Sequence, residues 1–271
     1  MSELYGKDVK DVIEKFEGLV DEETLKLLAL YAMGKIKLRG EVKKIRLYLS
    51  PERAIVDLKL HSRIGIESCR ALLRGELLRY VPRLSCGSVV SVSGVFAGEM
   101  LKVDELNVIK QKRKVISGLV VAVKDRVISI VNEGKCLSCY NLSRSNVEEG
   151  QFVSMIGVEA DRDIFVAESI SEEENKLNSF DFFKPISKIS SFSGRICIKG
   201  RISGIGELRK LRGREYASIH VSDNSGRVKL MLWNDLYVYR NADIGDPIQV
   251  FSCRADGNTL HCDEFTILKL V

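Results

Sequence analysis

Three stretches of this chain repeat a pattern that suits only a small β unit: a glycine, an alternating apolar strand, a turn and a partner strand. They run from Gly87 to Gly94, from Gly150 to Gly157 and from Gly245 to Ser252, with partner strands over Met100 to Ile109, Asp163 to Ile170 and Thr259 to Leu270. Period-two alternation turns one face of each strand to a core and leaves the other for different chemistry. Three hairpin-terminated copies imply three barrels in series, with loop insertions accounting for their unequal spacing. A generic all-β chain with coincidental glycine-started strands is the competing reading. The length of 271 residues accommodates barrels of roughly 60 to 80 residues plus an N-terminal piece.

The third copy carries the clearest chemistry. In Val228-Lys229-Leu230-Met231-Leu232-Trp233 the apolar residues Val228, Leu230 and Leu232 share one face, and Lys229, Met231 and the chain's only tryptophan share the other. The preceding run Tyr216-Ala217-Ser218-Ile219-His220-Val221 divides the same way, with Tyr216, Ser218 and His220 outward. Asp223-Asn224-Ser225-Gly226 between them is turn chemistry, so the two runs form a hairpin whose outer face presents Tyr216, His220, Lys229 and Trp233. Upstream, residues 199 to 214 hold six basic residues, Lys199, Arg201, Arg209, Lys210, Arg212 and Arg214, against one acid, Glu207. Together with Arg227, a basic loop entering an aromatic hairpin is the layout of a groove for a single nucleic-acid strand.

This order of motifs, Gly200-Arg201-Ile202, basic loop, Asp-x-Ser-Gly, strand ending in Leu232-Trp233 and Ile244-Gly245-Asp246, resembles the oligonucleotide-binding (OB) barrel of archaeal replication protein A. The approach segment Pro185-Ile186-Ser187-Lys188-Ile189 is similar to the lead-in of such barrels, so the likeness covers about residues 185 to 271. It implies a five-stranded barrel that binds oligonucleotides across its second and third strands. By that likeness Trp233 falls at a base-stacking position. The expected fold is all-β: three tandem OB-fold barrels with a short N-terminal helical hairpin.

The expected organisation is 1–35 helical segment, 36–110 first OB fold, 111–171 second, 172–192 linker and 193–271 third. Asp21 caps a helix that Gly34 closes, and Leu4 to Phe16 forms a shorter one. This segment holds five basic and eight acidic residues, which suits a cap or a protein contact better than nucleic acid. Net charge is only +5, so distribution matters: Lys+Arg against Asp+Glu is 14 to 8 over residues 36–110, 8 to 8 over 111–171 and 12 to 9 over 193–271. If phosphate neutralisation drives affinity, the outer barrels hold the strand and the middle one acts as spacer, weak contact or protein surface. In the first barrel Lys43, Lys44, Arg46 and Tyr48 are candidates, followed by Arg70 and Arg74. Its strand Ile66 to Leu73 has no aromatic residue, so stacking there falls to Arg, Tyr48 or Phe96, or is absent. In the middle barrel Tyr140 ends the matching strand and is a candidate for stacking. Phe180-Asp181-Phe182-Phe183 in the linker either packs on the middle barrel or docks a partner.

Cys136-Leu137-Ser138-Cys139 has the spacing of half a zinc site. No second pair accompanies it, and at i and i+3 on a strand the two thiols point to opposite faces, so no metal or other cofactor is expected. Cys253 and Cys262 flank a tight turn and face each other, either as a disulfide or as buried thiols. The three histidines, His61, His220 and His261, have no catalytic spacing, and no phosphate loop, nucleophile elbow or dinucleotide fingerprint occurs, so no enzyme is expected. No apolar run approaches a membrane span and no leader is evident, so an intracellular protein of cytoplasm or nucleoid is expected.

These features point to sequence-independent binding and protection of single-stranded DNA in replication, repair and recombination, with other replication or recombination proteins as further partners. An RNA- or tRNA-binding OB protein and a non-binding assembly subunit of a replication protein A-like complex are the alternatives.

Overall fold

The computed structural model describes residues 14–20, 25, 36–61, 67–161, 163–174, 181–211, 213–233 and 236–271. The expected N-terminal helical hairpin, Arg212 and Phe180 therefore lie outside the described residues, apart from a helical turn at 14–16. The chain divides into two units, Met1–Lys112 and Arg113–Val271.

The first unit holds strands β1 (Ile36–Leu49), β2 (Glu52–Leu60), β3 (Ser68–Arg74), β4 (Val89–Ala97) and β5 (Met100–Lys110). They close into a barrel in the order β1-β2-β3-β5-β4, with β4 returning to β1. The β3–β5 pair is parallel and the others antiparallel. This is the OB arrangement. Alternation builds its core: Ala54, Val56, Leu58 and Leu60 are buried while Arg53, Ile55, Asp57 and Lys59 turn outward. A 3₁₀ segment, Gly75–Arg83, buries Leu78, Val81 and Pro82 between β3 and β4.

The second unit repeats the barrel twice. Strands β6 (Lys114–Lys124), β7 (Val127–Asn132), β8 (Lys135–Asn141), β9 (Phe152–Ala160) and β10 (Ile164–Glu172) close as β6-β7-β8-β10-β9. The third barrel uses β11 (Gly194–Ile205), β13 (Arg214–Ser222), β14 (Arg227–Leu232), β15 (Pro247–Asp256) and β16 (Thr259–Cys262) in the same order. A short β12 (Arg209–Leu211) extends β13, β17 (Ile267–Leu270) pairs with β15, and a helical turn α1 (Tyr237–Asn241) joins β14 to β15. No helix among the described residues is long and apolar enough to cross a membrane.

The repeat that the sequence displays has a structural cause. Gly87, Gly150 and Gly245 all adopt positive φ (86°, 91° and 104°), where a side chain is disfavoured. Each donates its N–H to the first strand of its barrel, at Val42, Val120 and Ile202, and that residue's N–H returns to the carbonyl after the glycine. A bulge follows Val42, Val120 and Ile202 in turn. These three residues align the barrels: they pair with Leu58, Ile130 and Val221, so the outward neighbours Asp57–Arg70, Ser129–Ser138 and His220–Lys229 occupy one matched position.

The middle and third barrels are packed together through the outer face of β7 and β8. Ser129 Oγ lies 2.6 Å from Ser252 Oγ, Cys136 Sγ 3.0 Å from Ser252 Oγ, and Ser138 Oγ donates to the Phe265 carbonyl at 2.8 Å. Ser252 holds φ of 57°, a left-handed conformation that costs a non-glycine residue about 1 kcal/mol. That backbone lets its hydroxyl reach the Leu137 carbonyl while its own carbonyl accepts from the buried Arg195, which is paired bidentately with Asp263.

The linker corrects one expectation. Phe182 and Phe183 pack on Phe251 of β15, with ring centroids 6.5 and 5.6 Å away, so they cover the third barrel rather than the middle one. The lead-in then docks on the Asp223 turn: Asp223 Oδ2 accepts the Ile186 N–H and Ser225 Oγ accepts the Ser187 N–H, with Ile186 and Ile189 in the core. Partial burial raises the Asp223 carboxyl, but the donors of Ile186, Ser225 and Gly226 outweigh it and hold it below the usual carboxylate range.

Candidate nucleic-acid interface

The outer face of the third barrel's second and third strands is open. Register places Ser218 opposite Met231, His220 opposite Lys229 and Ser222 opposite Arg227. One step further, Tyr216 and Trp233 stack with centroids 5.0 Å apart and planes at 25°. Both rings are half-buried, and Lys229 and Arg227 are exposed. The face thus grades from aromatic at one end to cationic at the other, over three side-chain repeats or about 20 Å.

A third ring completes the aromatic end. His261 on β16 lies nearly coplanar with Trp233, at 12° and 6.2 Å between centroids. Trp233 Nε1 donates to His261 Nδ1 at 3.0 Å, which puts the histidine proton on Nε2, 3.5 Å from Asp256 Oδ2. Burial lowers the His261 pKa, nearby Arg254 lowers it further, and Asp256 and Asp263 oppose them without prevailing. His220 is also held below its ordinary range, by burial first and then by Arg227 and Lys229. The face therefore presents neutral imidazoles and fixed cations at neutral pH. His261 had a sequence signal: it is in outward phase on the strand after Gly257, yet its contact with Trp233 depends on a strand pairing across 28 residues.

The connection between β11 and β13 borders the aromatic end. Arg209 pairs with Tyr216 across β12 and β13 and shares its face, as Arg214 and Leu211 share theirs. Lys210 lies on the opposite face with Glu215, which Arg240 also approaches. At Gly204 a Cβ would meet Arg227 Nη2 at 2.7 Å, so glycine lets the chain pass close beside that guanidinium. Arg201 registers with Ser222, next to Arg227, and donates to the Gly245 carbonyl.

Of the expected contacts, Trp233, Tyr216, Arg209, Arg214, Arg201, Arg227 and Lys229 meet on or beside this face. Three others do not. Lys199 pairs with Asp181 at 3.5 Å and lies over the Phe183 ring, before the β11–β13 register begins at Arg201. Lys210 faces away, as described. Tyr140 is 3% exposed and accepts a hydrogen bond from Arg126, so it has no open ring face for a base. It also matches Met231 rather than Trp233 in register, because it pairs with Val127 as Met231 pairs with Ser218.

The first barrel's corresponding face is cationic without a large stacking platform. Tyr48, Arg53 and Arg74 form one row, Arg46, Ile55 and Leu72 the next, and Lys44, Asp57 and Arg70 the third. Arg74 stands where the third barrel has Trp233. Arg53, a further cation of this face, stacks on Tyr48 at 5.0 Å, and Arg46 is bound to both oxygens of Asp57. Arg70 is paired with Glu99 and Lys43 with Glu41.

No family model and no curated protein sequence matches the chain. Solved structures give distant likenesses. The replication factor A related protein of Methanobacterium thermoautotrophicum aligns with 33% of this chain and 90% of its own, at 17% identity and TM-score 0.30. The p204 HINb domain aligns with 59% of this chain and 97% of its own, at 10% identity and TM-score 0.43. The Ifi202 HINa domain, solved in complex with 20bp dsDNA, aligns with 58% of this chain and 95% of its own, at 16% identity and TM-score 0.37. The strand order of each barrel, rather than these likenesses, is what defines the OB fold here.

Proposed function

We propose that this chain binds single-stranded nucleic acid, DNA in the first instance, through the open face of its third barrel, without catalysing a reaction. The observation that carries the reading is the Tyr216–Trp233 stacked pair, continuous on one face with Lys229 and Arg227. Bases stack on such rings for ~1 to 3 kcal/mol each, and any base has a π-face to offer. Cations beside them neutralise phosphates and carry little sequence information, so binding is sequence-independent. The cationic face of the first barrel supplies a second contact, and linkage of two sites raises avidity through effective concentration. Coating and protecting exposed strands in replication, repair and recombination is the role such binding suits.

Trp233 is the only tryptophan, so intrinsic fluorescence reports on the site itself. Titration with oligo-dT, matched oligo-U and duplex DNA at two salt concentrations tests the proposal. Quenching by oligo-dT that weakens with salt and is not matched by duplex supports it. Stronger quenching by oligo-U moves the reading to RNA, and no quenching by any ligand removes Trp233 from a binding site and favours an assembly role.

A further inference from the structure

The contact between the middle and third barrels contains a thiol pair that strand binding does not use. Cys136 on β8 and Cys197 on β11 are 61 residues apart in the chain, and their sulfurs are 2.9 Å apart. A disulfide holds its sulfurs at about 2.05 Å, so less than one ångström of approach separates contact from bond. The two strands are already fixed to each other by the bridge between Arg195 and Cys136. Burial raises the Cys136 thiol, but its hydrogen-bonding neighbours, the Cys197 thiol first, outweigh that and hold it below the ordinary thiol range. Cys197 donates its proton toward Cys136, is itself buried, and is held well above the ordinary thiol range. While the barrels are in contact, Cys136 is therefore the more acidic thiol of the two.

The other facing pair lacks this geometry. Cys253 and Cys262 fall opposite each other across the β15–β16 hairpin, but Cys253 Sγ donates to the Ile196 carbonyl at 3.3 Å and is turned onto backbone.

We propose that Cys136 and Cys197 are an oxidation site, which a small-molecule disulfide converts into a covalent link between the middle and third barrels. The Cys136 thiolate attacks one sulfur of the oxidant and expels the first small thiolate, leaving a mixed disulfide on Cys136. Cys197 then loses its proton to the released thiolate, and its sulfur attacks Cys136 and expels the second small thiolate. The balance is two protein thiols and one small disulfide in, one protein disulfide and two small thiols out. Because Cys136 and Cys197 are 7% and 0% exposed, the reaction proceeds when the two barrels part transiently or as they first dock. The link holds the outer face of β7 and β8 shut against the third barrel.

The test uses the full chain, incubated with oxidised glutathione with and without low urea, then alkylated with N-ethylmaleimide in strong denaturant. The expected product has lost two hydrogens and carries five maleimides instead of the seven that its seven cysteines allow. Its cross-linked peptides join Cys197 to Cys136, with fragment ions separating Cys136 from Cys139. Low urea speeds the reaction, and the oxidised chain melts roughly 5 to 15 °C higher than the reduced one. A chain that takes seven maleimides under every condition, or one whose bond maps to another pair, overturns the proposal. Cys197→Ser removes the product, and should that variant not fold, the peptide map of the unaltered chain decides alone.

Discussion

The middle and third barrels share a strand order and a register, yet the same face meets opposite fates. At the matched position the third barrel carries His220 and Lys229, with the Tyr216–Trp233 stack nearby, and the face is open. The middle barrel carries Ser129 and Ser138 there, both fully buried against Ser252 and Phe265 of its neighbour. An OB barrel offers one outer surface across its second and third strands. Small uncharged residues let that surface serve as glue between barrels, while rings and cations suit it to a polyanion. The first barrel, with Asp57 and Arg70 at the position, has a charged face whose Arg46 is already paired with Asp57.

Exchanging the matched residues is the sharpest way to break this comparison. Ser138→Lys places an unpaired charge in the barrel contact and is expected to destabilise the second unit by about 3 kcal/mol or more, read as a lower melting temperature. The reciprocal Lys229→Ser, at an exposed site, is expected to stay within about 0.5 kcal/mol of the parent in stability. If both chains melt alike, the middle face is not closed in solution.

Trp233→Ala should cost ~1 to 3 kcal/mol in affinity for oligo-dT, measured by anisotropy of a labelled strand because the intrinsic reporter is gone. Tyr140→Phe keeps the buried ring and should leave that affinity unchanged, which separates the open face from the closed one. A smaller effect is expected from Lys229→Ala, whose loss of one phosphate contact lowers the salt slope for single strands by about 0.7. Lys199→Ala, held on Asp181 and Phe183, should leave the slope where it is.

The smallest expected effect is on pH dependence. His220 is held below its ordinary range by burial and by Arg227 and Lys229, so it is neutral in the free protein. A bound phosphate raises it, binding then takes up a proton, and affinity should increase as pH falls through and below the ordinary histidine value of about 6.5. His220→Asn should flatten that dependence, and a parent chain whose affinity is already flat there would place His220 away from the phosphates.

Much of this was legible in the residues. The glycine-started repeats marked the three barrels because each glycine is needed at positive φ to bond the first strand. Strict alternation in Val228 to Trp233 separated a core face from one bearing Lys229 and Trp233. The signal for the middle barrel was also present: Val127, Ser129, Val131, Cys136, Ser138 and Tyr140, all outward on β7 and β8, include no charge, and all are buried. Alternation could show that these side chains leave their own barrel, but not what they meet beyond it.

By itself the sequence determined the local units: strand periodicity, turn chemistry, the positive-φ glycines and the residue types that each outer face carries. Those are properties of neighbours in the chain, set by the pleat and by backbone sterics. Only the tertiary structure decided that Lys199 is engaged by Asp181 and Phe183, that His261 joins Trp233, that Tyr140 is sealed, and that Cys136 meets Cys197. Each of these depends on contacts between residues 14 or more positions apart, where packing within and between barrels selects which outward faces keep their water and which lose it.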